Sequence, residues 1–234
     1  MPHPRRLPVV AVLTAALFGS AACGSSHPTA ADGSPGYLFE RADAVSGTTS
    51  SFGSTTLEAS LPNRVTTVTV DGAPVSTTFS DAVVLGTVAR VERSEAVTYS
   101  DAETQSDEPR ATVVDWNDPA ADERSLLVTL TSVRSLGGGE YPSELTFRLG
   151  VLVGSDPAEF MKAAERLGEV AVLLRKRPDG RHQGEWIPAL GPAGIGVVDS
   201  DGSLTFPGMG ASMKTFQSGI DSVAELEQAA STRG

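Results

Sequence analysis

The side chains able to do chemistry in this chain are few, and their spacing excludes more than it supports. Cys23 is the single cysteine of 234 residues, so it cannot join an internal disulfide. Of three histidines, His3 and His27 lie in the first stretch of the chain, and His182 alone falls among its apolar segments. Counting therefore excludes a histidine-built metal site, and neither HExxH nor CxxC occurs. His182 sits within Pro178-Asp179-Gly180-Arg181-His182-Gln183-Gly184, the composition of a hairpin tip, and reads as a solvated turn residue. No GxSxG elbow or SxxK pair exists, since Ser212-Met213-Lys214 has the wrong spacing; a dispersed Ser-His-Asp set would have to use His182. Asp199-Ser200-Asp201-Gly202 begins like a calcium loop, but its Gly is fourth instead of sixth and Gly210 holds the twelfth place, so a hairpin turn accounts for it. Gly191-Pro192-Ala193-Gly194-Ile195-Gly196 lacks the Lys and Ser/Thr of a phosphate loop and reads as a turn. No catalytic residue, metal ligand or cofactor is expected.

One stretch stands apart. Ser94–Arg124 holds nine acidic residues against Arg110 and Arg124, and reads as a connection of about thirty residues. Connections of that length inside a domain tend to be functional or unstructured. Val113-Val114-Asp115-Trp116 is an apolar island in this charge. Trp116 has two readings: an indole folded back onto its own domain, or an anchor for a partner, since aromatic anchors carry much interface energy. Trp186 lies in a strand candidate and reads as core.

The beginning of the chain carries an address. Residues 1–22 contain no Asp or Glu, and Arg5 and Arg6 precede an apolar run from Val9 to Phe18. A basic start, a short apolar centre and small residues near a cut site are the parts of a secretory signal. The run is far shorter than the roughly 20 residues a spanning helix needs, so removal is expected. Leu7-Pro8-Val9 after the arginine pair fits a twin-arginine signal poorly, which favours the general secretory route. Ser20-Ala21-Ala22-Cys23 resembles the lipobox of bacterial lipoproteins, with Ser20 where that family usually has Leu. The resemblance implies diacylglycerol on the Cys23 sulfur, a mature chain beginning at Cys23, and the membrane as a partner through that lipid on its extracytoplasmic face. The competing reading is an ordinary signal peptide cut nearby, with Cys23 incidental. Each buried methylene of such an anchor adds about 0.8 kcal/mol, so two or three acyl chains would hold permanently.

Composition bounds the partners. The chain carries a net charge of −11, and losing Arg5 and Arg6 with the leader takes the basic count from 18 to 16 against 29 acidic residues. Nucleic acid and anionic lipid surfaces repel that balance, and no nucleic-acid partner is expected. Fifteen of the basic residues are Arg and three are Lys; with abundant Ala and Gly, this usage resembles that of GC-rich actinobacterial proteomes.

These residues are positioned by a chain that falls into three parts. After the signal peptide at 1–22, residues 23–60 are rich in Gly, Ser, Thr, Ala and Pro and read as a tether, ordered at most around Tyr37-Leu38-Phe39. Residues 61–234 read as a single β-rich domain with the acidic loop at 94–124. Its strand candidates are Arg64–Val70, Ala82–Val91, Ala111–Asp115, Ser125–Arg134, Glu144–Val151, Glu169–Arg177, Gly184–Pro188 and Gly194–Val198. Ala82–Val91 is apolar at both parities, as in a strand with little exposed face. Ser155-Asp156-Pro157 starts a helix that carries Phe160, Ala163, Ala164 and Leu167 on one stripe and stops at Gly168. Ile220, Val223 and Leu226 mark a second helix near the end.

That order resembles a small antiparallel barrel of the oligonucleotide/oligosaccharide-binding (OB) type, mainly β, with one inserted helix and a C-terminal helix. Ser80–Val88 (SDAVVLGTV) followed by strand, Gly turn, strand and EVAVLL at 169–174 is similar to a widespread group of secreted bacterial proteins, over roughly residues 78–206. The expected function is a non-enzymatic, membrane-tethered module that binds an envelope protein or ligand. The alternative is an envelope-polymer hydrolase using dispersed carboxylates.

Overall fold

The computed structural model describes residues 34–39, 56–70, 73–99, 111–178 and 180–231. The leader at 1–22, Cys23 and most of the tether lie outside the described residues. The strands are β1 (Thr66–Val70), β2 (Ala73–Thr77), β3 (Ala82–Tyr99), β4 (Ala111–Val114), β5 (Glu123–Gly137), β6 (Glu144–Gly150), β7 (Glu169–Lys176), β8 (Trp186–Pro192), β9 (Ile195–Val198) and β10 (Leu204–Thr205). The helices are α1 (residues 35–39), α2 (Pro157–Glu165), α3 (Met213–Gln217) and α4 (Val223–Ser231), with 3-10 turns at Glu58–Ser60 and Pro207–Ser212.

The sheet is organised by alternation in its central strands. In β3, Ala82 and Val84 enter one apolar cluster while Val83 and Leu85 enter another on the opposite face. The neighbouring β7 does the same, with Val170, Val172 and Leu174 on the first side and Ala171 and Leu173 on the second. Every ladder is antiparallel, in the order β10-β9-β7-β3-β5-β6, with β4 joining the far end of β3 and β8 joining β7. β1 and β2 form a separate hairpin. The β3–β5 ladder shifts register at four places. Such irregularities bend strands and add twist, and the sheet curls until β6 runs beside β8 with no ladder joining them.

Inside the curl, Leu126, Val128 and Leu130 of β5 and Phe147 and Leu149 of β6 meet α2. Asp156 caps that helix by accepting from the N–H groups of Ala158 and Glu159 at 2.8 and 3.0 Å, a device worth about 1 kcal/mol. Its buried stripe is Phe160, Ala163 and Ala164. Gly86 lets β3 and β5 approach closely, since a Cβ there would lie 3.1 Å from that of Leu130. On the outer face residues 193–226 cover β3 and β7. Phe206 and Phe216 pack edge to face at 5.4 Å, and buried Gln217 satisfies its amide by donating to the carbonyls of Leu204 and Ile220, both at 3.0 Å.

Three expectations need correction. The tether of 23–60, expected to be ordered at most around Tyr37-Leu38-Phe39, is ordered there, with Leu38 and Phe39 buried in the inner cluster, and also at 56–60, where Leu57 is buried in the outer one. Small polar composition conceals Leu57, a single apolar residue that is enough to dock. The acidic loop of 94–124 is, in its described residues, strand and turn. Residues 94–99 continue β3, Ala111–Val114 pairs with them, and β5 begins at Glu123. Finally, β2, β10, the 3-10 turn at Pro207–Ser212 and α3 have no counterpart in the sequence reading, and Ile220 is buried ahead of α4 instead of within it.

Candidate functional site

Four elements converge on one cleft of about 380 Å³: the end of β3, the start of β5, the end of β6 and the β7–β8 hairpin. At its centre is Arg148, which points to the face of β6 opposite Phe147 and Leu149 and is only 8% exposed. A guanidinium so placed must find acceptors. Its Nε donates to Glu185 at 2.8 Å, and one Nη donates to the hydroxyls of Ser94 and Ser125 at 2.6 and 2.8 Å. The other Nη meets Nδ1 of His182 at 3.1 Å.

His182 is placed by the hairpin joining β7 to β8. Arg177 N–H donates to the carbonyl of Glu185 and Gly184 N–H to that of Arg177, both at 2.9 Å, which closes the hairpin neck. His182 takes a left-handed backbone, φ +69°, and its ring is turned into the network. A non-glycine residue in that region costs roughly 1–2 kcal/mol. Its Nε2 meets Glu95 of β3, and its Nδ1 lies 3.2 Å from Glu185. Nε2–H donates to Glu95, while Nδ1 faces both a donor, Arg148, and an acceptor, Glu185: it accepts from Arg148 when bare and donates to Glu185 when the ring is protonated. Arg181 also donates to Glu95, at 2.7 Å. The resulting chain runs Arg181, Glu95, His182, then Glu185 and Arg148.

The carboxylates respond to these contacts. For Glu95, burial alone would raise the pKa, but hydrogen bonds from His182 and Arg181 together hold it below its ordinary value. Glu185 is lowered chiefly by the bond from Arg148. Tyr99 is pushed the other way by burial and by its hydrogen bond to Glu123 at 2.9 Å, which keeps the phenol protonated. Both glutamates are thus held ionised with their oxygens occupied, an arrangement poor in general acids. The nearby hydroxyls of Ser94 and Ser125 face Arg148, not the ring, so no Ser-His pair is assembled here.

Trp116 is not part of this cleft. Its indole is half-buried against the inner cluster, and the guanidinium carbon of Arg93 lies 5.9 Å from its ring centroid. Arg124 fixes the turn around it by donating to the carbonyls of Trp116, Ala121 and Asp118. Trp186 packs at the cluster's edge, with Tyr141 at 5.7 Å and the Lys176 ammonium over its ring at 4.0 Å. His182, read from sequence as solvated, is instead tied to three charged side chains.

Sequence reasoning missed Arg148, Glu95 and Glu185, and Arg175 and Arg177 in the cleft wall. A local signal existed: Arg175, Lys176, Arg177 and Arg181 crowd one short segment of a chain with net charge −11. Arg148 gave none, since an arginine between Phe147 and Leu149 fits an ordinary half-exposed strand. Among the described residues no group of His, Cys, Asp or Glu is placed to hold a metal ion, and no helix is long and apolar enough to cross a membrane. Comparison with protein-family models, curated proteins and solved structures gives no match.

Proposed function

We propose that this chain is an exported lipoprotein, moored to the extracytoplasmic face of the cell membrane by lipid on Cys23, whose domain is a non-enzymatic binding module of the envelope. The observation that carries the binding reading is the cleft: an apolar floor, guanidinium groups held by fixed partners, and carboxylates already ionised and occupied. The run Ser20-Ala21-Ala22-Cys23 and the uncharged, acid-free leader core support the anchor. An OB-like barrel is the finer reading of the fold. It is supported by the curled sheet, by β6 lying beside β8 and by α2 plugging the interior. A carboxylate hydrolase would need at least one acid with a raised pKa, and Glu95 and Glu185 shift in the opposite direction.

The test has two arms. Fractionation of cells expressing the wild type and Cys23→Ala should move the protein from membrane to soluble fractions, with acyl mass on the wild-type N-terminus. Wild-type protein found wholly in the medium without lipid would end the anchoring claim. Pull-downs from native envelope with the wild type and with a variant carrying both Arg175→Gln and Arg177→Gln should differ in what they retain. Identical retention would detach the cleft from the function.

A further inference from the structure

We infer that the cleft binds a small amphipathic anion, one carboxylate or phosphate group on an apolar body, with Arg175 and Arg177 gripping the anionic end. This rests on the binding-module reading and adds the chemical class of the ligand. Five arginines line the cleft against two glutamates, Glu95 and Glu123, in a chain whose net charge is −11. Three of the five are already answered. Arg148 is paired with Glu185, Arg181 with Glu95, and Arg124 is spent on three backbone carbonyls. Arg175 and Arg177 donate to no carboxylate among the described residues. They stand two residues apart, Arg175 near the end of β7 and Arg177 just past it in the hairpin neck, so they project to the same side, roughly 7 Å apart. Two guanidinium forks at that separation can close on one carboxylate or phosphate from both sides.

The rest of the cleft fixes the other end of the ligand. Val97, Ile187 and Ala189 give it an apolar lining, which suits an alkyl or aryl body better than a sugar or a bare ion. Size and field favour a small ligand over a long polyanion. About 380 Å³ lies at the small end for ligand sites. A long polyanion would reach past the screening distance of about 8 Å into the field of the acidic surface, whereas a single anionic group remains within the arginine wall.

The test titrates the unlipidated mature protein with octyl phosphate, octanoate, octanol and inorganic phosphate, following binding by calorimetry. Saturable one-site binding of octyl phosphate or octanoate is expected, at least about tenfold tighter than octanol or inorganic phosphate and weakened by salt. Which of the two amphiphiles binds better tells phosphate from carboxylate. Arg175→Gln and Arg177→Gln should each weaken binding about tenfold with unchanged melting, and Arg134→Gln, outside the cleft, should not. Equal affinity for octanol, or binding indifferent to Arg175→Gln and Arg177→Gln, overturns the inference. So does the absence of saturable binding by every probe. The binding-module reading survives those results if the double arginine variant still alters the envelope pull-down.

Discussion

Ala82, Val83, Val84 and Leu85 at the start of β3 are buried whichever face they point to, whereas Glu92, Arg93 and Tyr99 toward its end stand in solvent. One strand thus passes through two regimes. In the first half, β7 and β5 hold both edges and apolar side chains fill both faces. In the second half, β4 replaces β7, and polar contacts take over. Asp122 accepts the Tyr99 N–H at 2.7 Å, Glu123 accepts its hydroxyl, and Glu95 is held by Arg181 and His182 from the distant hairpin. Burial of apolar surface is nearly indifferent to pH and salt, while a network of charges is not. The domain therefore has a permanent end and a conditional end, and the cleft is built on the second.

The contrast should be sharpest when the apolar end is opened. A chain beginning at Leu61 lacks Leu38, Phe39 and Leu57, each of them buried in one of the two clusters. Large core truncations cost about 2–5 kcal/mol each, so together they rival a typical total stability of about 5–15 kcal/mol. Melting is expected to fall by roughly 15 °C or more, or to lose cooperativity, whereas a chain beginning at Ser34 should melt like the full mature protein. Equal melting of the two truncations would show that α1 and the turn after it contribute nothing.

At the conditional end, Arg148→Met removes the guanidinium from Ser94, Ser125, His182 and Glu185, and a loss of about 1–3 kcal/mol is expected. Acid provides a second reading of the same contacts. Glu95 and Glu185 have folded pKa values below their ordinary 4.5. Their contribution is therefore complete above that value and is lost as pH falls through the lowered ones. Stability should drop on acidification in the wild type and drop less in Arg148→Met. Parallel pH profiles would mean that the network around Arg148 does not stabilise the fold.

The smallest effect is expected at Trp116, which belongs to neither regime fully. Trp116→Ala should cost about 1–2 kcal/mol for a half-buried indole. In a Trp186→Phe background, acrylamide should quench Trp116 only partly. Full quenching, with unchanged melting of Trp116→Ala, would return this residue to the role of a partner anchor.

The same division explains what was legible in the sequence. The permanent end could be read directly: the two-sided apolarity of Ala82–Val91, the capped start at Asp156 and the stripe from Phe160 to Leu167 are local patterns set by local geometry. The conditional end could not. Glu95 reads as part of a solvated loop because its counter-charges, Arg181 and His182, lie far along the chain and become neighbours only when the sheet curls. His182 was recognised as part of a hairpin, but the sharp left-handed turn that aims its ring inward left no mark in composition. Leu38 and Phe39 were noticed as an apolar spot, yet nothing local told that they close the inner cluster.

That closure has a consequence for reach. With lipid on Cys23, as proposed, the leash would end where α1 is fastened, not at residue 60. Eleven residues lead from Cys23 to Ser34, and a fully extended chain gains at most ~3.3–3.6 Å per residue, about 40 Å in all. A leash running to residue 60 could stretch beyond about 120 Å by the same measure. With that anchor, the docked helix would convert a long-range probe into a short mooring. The cleft would sample only the few nanometres above its own patch of membrane, and whatever fills it must come from that layer or drift through it.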